Sequence, residues 1–110
     1  MNTDRELLEL AAKAAGLNVK AERVDADDKF THLIVGAKNT RERIAWNPLT
    51  DDGDALRLAV KLEIELWFGN GGLNASGMSM DIEEDYGEDP AAATRRAIVR
   101  AAAAIGEAMK

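Results

Sequence analysis

Two tryptophans and several arginines are the side chains in this sequence best suited to hold a small ligand. An exposed indole can stack a base or adenine, and guanidinium groups can hold phosphate. The candidate ligand-binding residues are Trp46, Asn47, Trp67, Arg41, Arg43, Arg95, Arg96 and Arg100. The competing interpretation is that both indoles are core residues, because a buried indole usually finds a partner for its N–H. The two interpretations predict opposite burial for the tryptophans.

The sequence offers little for catalysis or metal binding. His32 is the only histidine and lies in the apolar run FTHLIV, without the nucleophile and acid that a catalytic triad requires. The run DIEEDYGED has alternate carboxylates, but Tyr86 and Ala92 stand where a calcium-binding EF-hand loop needs glycine and glutamate. We therefore expect a solvated acidic strand face, with weak magnesium binding as the open alternative. We expect neither an enzyme nor a cofactor.

A glycine-rich stretch, GNGGLNASG at 69–77, is a further candidate for phosphate binding. It lacks the Gly-Lys-Ser/Thr ending of a P-loop and does not open a helix. We interpret it as a flexible hairpin tip, because four glycines raise the entropy cost of ordering the chain. Such a loop could close over a ligand.

Composition narrows the class of protein. The chain has 110 residues, of which 46% are hydrophobic and 31% charged, so we expect a single folded domain over residues 1–110. The formal net charge is -6, whereas nucleic-acid binders need a basic surface, so we expect no direct nucleic-acid partner. Cysteine is absent, which fits a reducing cytoplasm. No signal-peptide pattern or membrane-spanning apolar run is present.

Local patterns predict the elements that must position these residues. A capping box at Thr3–Glu6 begins a helix over about residues 4–15, and Asp89-Pro90 begins the last helix, with an inner stripe of Ile98, Ala102, Ile105 and Met109. Strands are predicted at VKAERV, FTHLIV, RERIAW, IELWF and MSMDIEED, and a helix starts at Thr50 or Asp51. The predicted class is α+β, with the order α-β-β-β-α-β-β-α and a mainly antiparallel sheet covered by helices.

Three blocks of the chain resemble a known family. They are ELLELAAKAAGL, WNPLTDDGDALRLAVKL and GEDPAAATRRAIVRAAAAIGEAM, and together they are similar to the phage ABA-sandwich domain of small phage and prophage proteins. The resemblance extends over nearly the whole chain. It implies an α-β-α sandwich, encoded by a phage and working in the host bacterial cytoplasm. It implies no catalytic motif and assigns no role to any residue.

Two functional hypotheses follow. The first is a phage-encoded, non-catalytic binding protein that counteracts host defence by sequestering a nucleotide-derived signal, in a pocket that could lie at a homo-oligomer interface. The second is an acidic inhibitor or adaptor that mimics nucleic acid and binds a host protein, because complementary charge steers association with basic surfaces. Whether the candidate tryptophans and arginines share one concave surface discriminates between them.

Overall fold

The structure is a computed structural model that describes residues 2–78 and 80–109. Within these residues the chain forms three helices and six strands, which confirms the predicted α+β class. In chain order they are α1 (Asp4–Ala14), β1 (Asn18–Val24), β2 (Phe30–Gly36), β3 (Ile44–Trp46), α2 (Asp52–Lys61), β4 (Glu65–Phe68), β5 (Gly72–Gly77), β6 (Met80–Asp85) and α3 (Pro90–Ala108).

The strands form two separate antiparallel sheets. Sheet A has the order β1-β2-β3, and sheet B has the order β4-β5-β6. In sheet A, Leu33 lies opposite Trp46 and Val35 lies opposite Ile44. In sheet B, Leu66, Ala75 and Ile82 form one row across the three strands.

The glycine-rich stretch is a correction to the predicted order, because most of it is the central strand of sheet B. Leu73 and Ala75 are both buried, as alternate residues of a half-buried strand should be. A Cβ added to Gly72 would lie 2.6 Å from the Glu84 carbonyl oxygen, so glycine here permits close approach of two strands. The alternation is not evident in the sequence, because glycine is rare in strands and favours a loop prediction. The observed order is α-β-β-β-α-β-β-β-α.

The predicted helix starts are confirmed. The Thr3 hydroxyl accepts from the backbone N–H of Glu6 at 3.2 Å, and the Glu6 carboxylate accepts from the Thr3 N–H at 3.0 Å. Asp51 caps α2, and Asp89 caps α3, each by accepting a backbone N–H three residues later. These contacts satisfy donors that have no partner inside the helix.

Helices α1 and α3 pack against each other between the two sheets, and α2 packs against α3. α3 contacts α1, α2 and strands β5 and β6, whereas α1 contacts β1 and β2. A Cβ on Gly106 of α3 would overlap the Leu10 carbonyl oxygen of α1, so the two helices cross in direct backbone contact. Ile98, Ala102 and Ile105 are buried as predicted, but Met109 is 42% exposed because α3 ends one residue earlier.

Strand β4 lies at the edge of sheet B and is less covered than predicted. The alternation in IELWF predicts that Ile64, Leu66 and Phe68 share a buried face. Ile64 is buried and Leu66 is half-buried, but Phe68 is 63% exposed. The reason is that α3 packs on β5 and β6 and does not extend over the end of β4.

No helix in the described residues has both the length and the apolar character that crossing a membrane requires.

Candidate functional site

The two candidate tryptophans lie in different sheets. Trp46 belongs to β3 of sheet A and is only 7% exposed, whereas Trp67 belongs to β4 of sheet B and is 66% exposed. The helices lie between these sheets, so within one chain the two indoles do not face a common ligand. Each must be considered with its own neighbours.

The candidate arginines of α3 each contact a different part of the fold. Arg95 donates through Nε to the Leu49 carbonyl oxygen at 2.8 Å and through Nη1 to Asp52 at 2.6 Å, which ties α3 to the start of α2. Arg96 pairs with a carboxylate of α1, and Arg100 pairs with a carboxylate of β6. These contacts join elements, and they direct the three guanidinium groups to three separate places.

The remaining candidates lie around β3. Arg41 and Arg43 are exposed in the segment before the strand, and neither forms an ion pair within residues 2–78 and 80–109. Asn47 forms the corner after it: the Nδ2 group donates to the Thr31 carbonyl oxygen at 2.7 Å, and Oδ1 accepts from Leu49 N–H at 2.9 Å. The polar groups of Asn47 are thus used to hold the corner.

Trp46 nevertheless lines a pocket. This pocket has a volume of about 380 Å³ and opens between sheet A, the end of α1 and one side of α2. Its apolar wall consists of Ala15, Leu17, Val35, Ile44, Trp46 and Leu58. Its rim is polar and consists of Asp54, Arg57 and Lys61. We call it the α2 pocket.

Helical spacing explains how α2 supplies the rim. Asp54, Arg57 and Lys61 are three and four residues apart, so they lie on one side of the helix, beside Leu58. Sheet A forms the opposite wall of the pocket, where Val35 and Ile44 lie opposite each other on neighbouring strands. The pocket therefore joins residues far apart in the sequence.

The rim offers an anionic group one cation that is not held in an ion pair within the described residues. Arg57 pairs with the buried Asp54 at 2.6 Å and lies 3.9 Å from Asp51, so its charge is largely compensated. Lys61 is exposed and pairs with no carboxylate in the described part of the chain. Asp54 also accepts the backbone N–H of Asn47 at 2.9 Å, which fixes the Arg57 partner in place. The rim thus carries one uncompensated cation beside a positioned guanidinium.

Sequence reasoning missed Arg57 and Lys61 as site residues. Lys61 lies in the last turn of α2, where the helix dipole favours a cation, so its position alone does not indicate a site. The spacing of Arg57 and Lys61 does indicate a site, because it places both on the same side of α2 as the apolar Leu58. This helix also follows directly after the strand that carries Trp46. What the sequence does not show is that this side of α2 leaves a gap against sheet A.

A second surface of interest is the outer face of sheet B, which we call the acidic face. It carries exposed Asp81, Glu83 and Asp85 on β6, with Glu65 and Trp67 on β4. None of the three strands contains lysine or arginine. The solvated acidic strand face predicted from the sequence is confirmed, and the described residues include no group of three potential metal ligands.

The block WNPLTDDGDALRLAVKL, which carries the strongest part of the family resemblance, forms the corner after β3 and helix α2. It therefore builds one side of the α2 pocket. No family model matches the chain, and neither the curated proteins nor the solved structures contain a match, so the phage relationship stays a prediction from sequence motifs.

Proposed function

We propose that this protein is a phage-encoded, non-catalytic binding protein that holds a small nucleotide-like ligand in the α2 pocket and counteracts host defence by sequestering it. The observation that carries the proposal is an open apolar pocket, walled in part by Trp46, with the cationic side chains of Arg57 and Lys61 at its rim. A nucleotide-derived signal combines the two matching parts, a flat ring system and an anionic group.

Size and surface chemistry support this ligand class. Small-molecule sites usually have volumes of about 300–1,000 Å³ and are mostly apolar with a few polar groups. The α2 pocket lies at the small end of that range, at about 380 Å³, which suits a single ring system with its charged group left at the rim. The indole N–H of Trp46 donates to no acceptor within the described residues. Every fully buried side-chain nitrogen in these residues has a hydrogen-bond partner, so the Trp46 nitrogen is not fully buried. Its N–H is therefore accessible to water or to a ligand.

The rim supports binding of phosphate more than of a neutral group. Hydrogen bonds from a cation to phosphate are roughly twice as strong as those between neutral groups. Asp54 holds Arg57 at the rim through a 2.6 Å ion pair, which reduces the ordering cost of the guanidinium on binding. Lys61 supplies the charge that this pair does not compensate.

Isothermal titration against cyclic and ADP-ribose-type nucleotides tests the proposal. We expect Lys61→Gln to weaken binding about tenfold, equivalent to about 1.4 kcal/mol. Lys38→Gln is the matched control, because Lys38 is an exposed residue between β2 and β3 that does not line the pocket and the charge change is identical. Absence of heat with every nucleotide, or equal affinities of the two variants, would exclude the α2 pocket as a nucleotide site.

The acidic face supports a second candidate, a protein-binding inhibitor or adaptor that mimics nucleic acid. The specific observation is that Asp81, Glu83 and Asp85 point away from the helices, with no basic residue in sheet B and the exposed Trp67 beside them. Complementary charge accelerates association with a basic partner, and an exposed tryptophan is a frequent anchor of protein interfaces.

Capture of basic host proteins at low salt tests this candidate. We expect Glu83→Lys to lose the salt-sensitive capture, since it reverses a charge at the centre of the face. Asp27→Lys makes the same change in the exposed turn between β1 and β2 and should retain it. Identical capture by both variants, or no capture by the unmodified protein at low salt, would count against the acidic face as a binding surface.

A further inference from the structure

The outer edge of β4 presents unpaired backbone groups. β4 pairs with β5, and no strand of the described residues pairs with its other side. The Gly69 N–H donates to the Gly72 carbonyl oxygen at 2.9 Å, which shows that residue 69 directs its backbone groups toward β5. The direction of the backbone groups alternates along a strand. The N–H and C=O groups of Trp67 are therefore also directed toward β5, whereas those of Leu66 and Phe68 are directed to the open edge.

This edge strand is short and begins with the charged Glu65, but it contains no lysine, proline or bulge. Natural edge strands are protected from pairing with another chain by short length, charged residues, proline, bulges or covering elements. β4 instead exposes Trp67 and Phe68, at 66% and 63%, and has regular register with β5 throughout. The neighbouring helix α2 adds Leu56 and Val60, which are 63% and 68% exposed and lie one turn apart.

Leu56 of α2 lies next to β4 on the inner side of sheet B. Leu56 lines a shallow groove together with Leu66 of β4 and Ile98 of α3. α2 therefore lies on the inner side of sheet B, next to the β4 edge. A chain that pairs with β4 would therefore lie close to Leu56, and Val60 lies one turn further along the same side of α2.

We propose that the protein forms a two-fold homodimer in which β4 pairs antiparallel with β4 of a second copy, centred on Trp67. In this register Leu66 lies opposite the partner's Phe68, and both residues direct their backbone groups to the edge, so the two symmetric pairs form four N–H···O bonds. Trp67 lies opposite the partner's Trp67 at a site without backbone hydrogen bonds, where side chains approach most closely. Cross-strand aromatic pairs of this kind stabilise a sheet.

Side-chain pairing favours this register over its neighbours, which either lose the Trp67 pair or place two carboxylates opposite each other. Glu65 lies opposite the partner's Gly69, so no two carboxylates face each other. A register centred on Leu66 would place Glu65 against the partner's Trp67, and one centred on Phe68 would place Leu66 against the partner's Asn70. A register centred on Glu65 would oppose two like charges, which destabilises a strand pair.

The exposed apolar side chains on the two sides of the β4 edge together come close to the area that a second copy needs. An aromatic side chain buries about 150–250 Å² when it is fully covered. With Leu56 and Val60, the four exposed side chains offer roughly 450 Å² per chain, so a symmetric pair covers roughly 900 Å² before the strand backbones are included. A specific interface needs about 1,000 Å². A two-fold arrangement lets one such surface cover itself, which makes a second copy the fitting occupant.

Engineered disulfides test the register directly, because the chain has no cysteine. We expect a mixture of Glu65→Cys and Gly69→Cys chains to form a cross-linked dimer, since these positions lie opposite each other and Cα atoms at such sites are about 4.5 Å apart. A Cβ at Gly69 would lie no closer than 3.6 Å to any other group, so this substitution fits the fold.

The single variants are the matched controls. In the proposed register, the two copies of residue 65 are four residues apart along the strands, which is about 13 Å and beyond the reach of a disulfide. Either variant alone should therefore give no cross-linked dimer. Equal cross-linking in the mixture and in the separate variants would overturn the register.

Sedimentation over a concentration series tests the dimer itself. We expect the unmodified protein to dimerise, and added salt to favour the dimer because it screens repulsion between two chains of charge -6. Phe68→Lys should leave only monomer, whereas Met78→Lys, at a 73% exposed turn between β5 and β6, should still dimerise. A monomer at every concentration would overturn the proposal. The α2 pocket does not include β4, so this result is independent of ligand binding.

Discussion

The crossing of α1 and α3 gives the sharpest stability prediction, which is that Gly106→Ala destabilises the protein. The added Cβ would overlap the Leu10 carbonyl oxygen and lie 2.8 Å from the Leu10 carbonyl carbon. Both atoms belong to the backbone of α1, so no side-chain rotation can relieve the contact. The helices must move apart, and the sheets that pack on them must follow.

Two opposing effects set the size of the loss. Overpacking a close-packed interior usually costs about 1–3 kcal/mol, and contact with a rigid backbone belongs at the upper end. Replacing glycine by alanine within a helix by itself stabilises the folded protein by about 0.5–1 kcal/mol. The net expectation is a loss of about 2 kcal/mol in the free energy of unfolding. For a domain of this size that lowers Tm by about 8 °C.

Urea unfolding followed by tryptophan fluorescence measures this loss as a shift in the midpoint at constant m value. Gly53→Ala in α2 is the control, because there the nearest atoms, at 3.1 and 3.2 Å, are the ends of the Arg57 and Asp51 side chains. That change should alter stability by less than about 1 kcal/mol. A Gly106→Ala protein as stable as the unmodified one would refute the close-crossing argument.

Two further predictions concern polar contacts at helix starts. Asp54→Ala removes the acceptor of the half-buried Asn47 N–H, and we expect a loss of about 1–3 kcal/mol, measured by urea unfolding against Asp27→Ala as an exposed control. The backbone N–H of Thr3, and then its hydroxyl, lower the pKa of the Glu6 carboxyl below its ordinary value. Because the pKa is lower in the folded state, this contribution to stability is present above the unfolded-state pKa and is lost as pH falls through the folded one. Glu6→Gln should therefore lose less stability than the unmodified protein on acidification, and parallel pH profiles would contradict this account.

The parts of the fold that depend on neighbouring residues could be predicted from sequence. The caps at Thr3, Asp51 and Asp89 each use a side chain and a backbone N–H three residues away, so their signals are local. The missed strand β5 shows the limit of residue propensity. Its glycines favour a loop, but burial of Leu73 and Ala75 against α3 outweighs that preference.

The candidate site was less predictable because it depends on packing between distant segments. Arg95 pairs with Asp52, which lies 43 residues earlier, so its role as a tie between helices cannot be seen in the local sequence. Trp46 and Trp67 are separated by helices that pack between the sheets, an arrangement that no periodicity encodes. Only Trp46 lines the α2 pocket, and the cations at its rim come from α2.

The packing of α1 against α3 also affects how the chain can fold as it is synthesised. Lys13 donates to the Met109 carbonyl oxygen across 96 positions, and the Leu10–Gly106 crossing spans a similar distance. Contacts of such long range slow folding, because the intervening loop must close first. A nascent chain that stops before Pro90 contains all six strands but not the helix on which sheet B and α1 both pack. We therefore expect the apolar face of sheet B, and the side of α1 that packs on α3, to stay exposed to chaperones until α3 has left the ribosome.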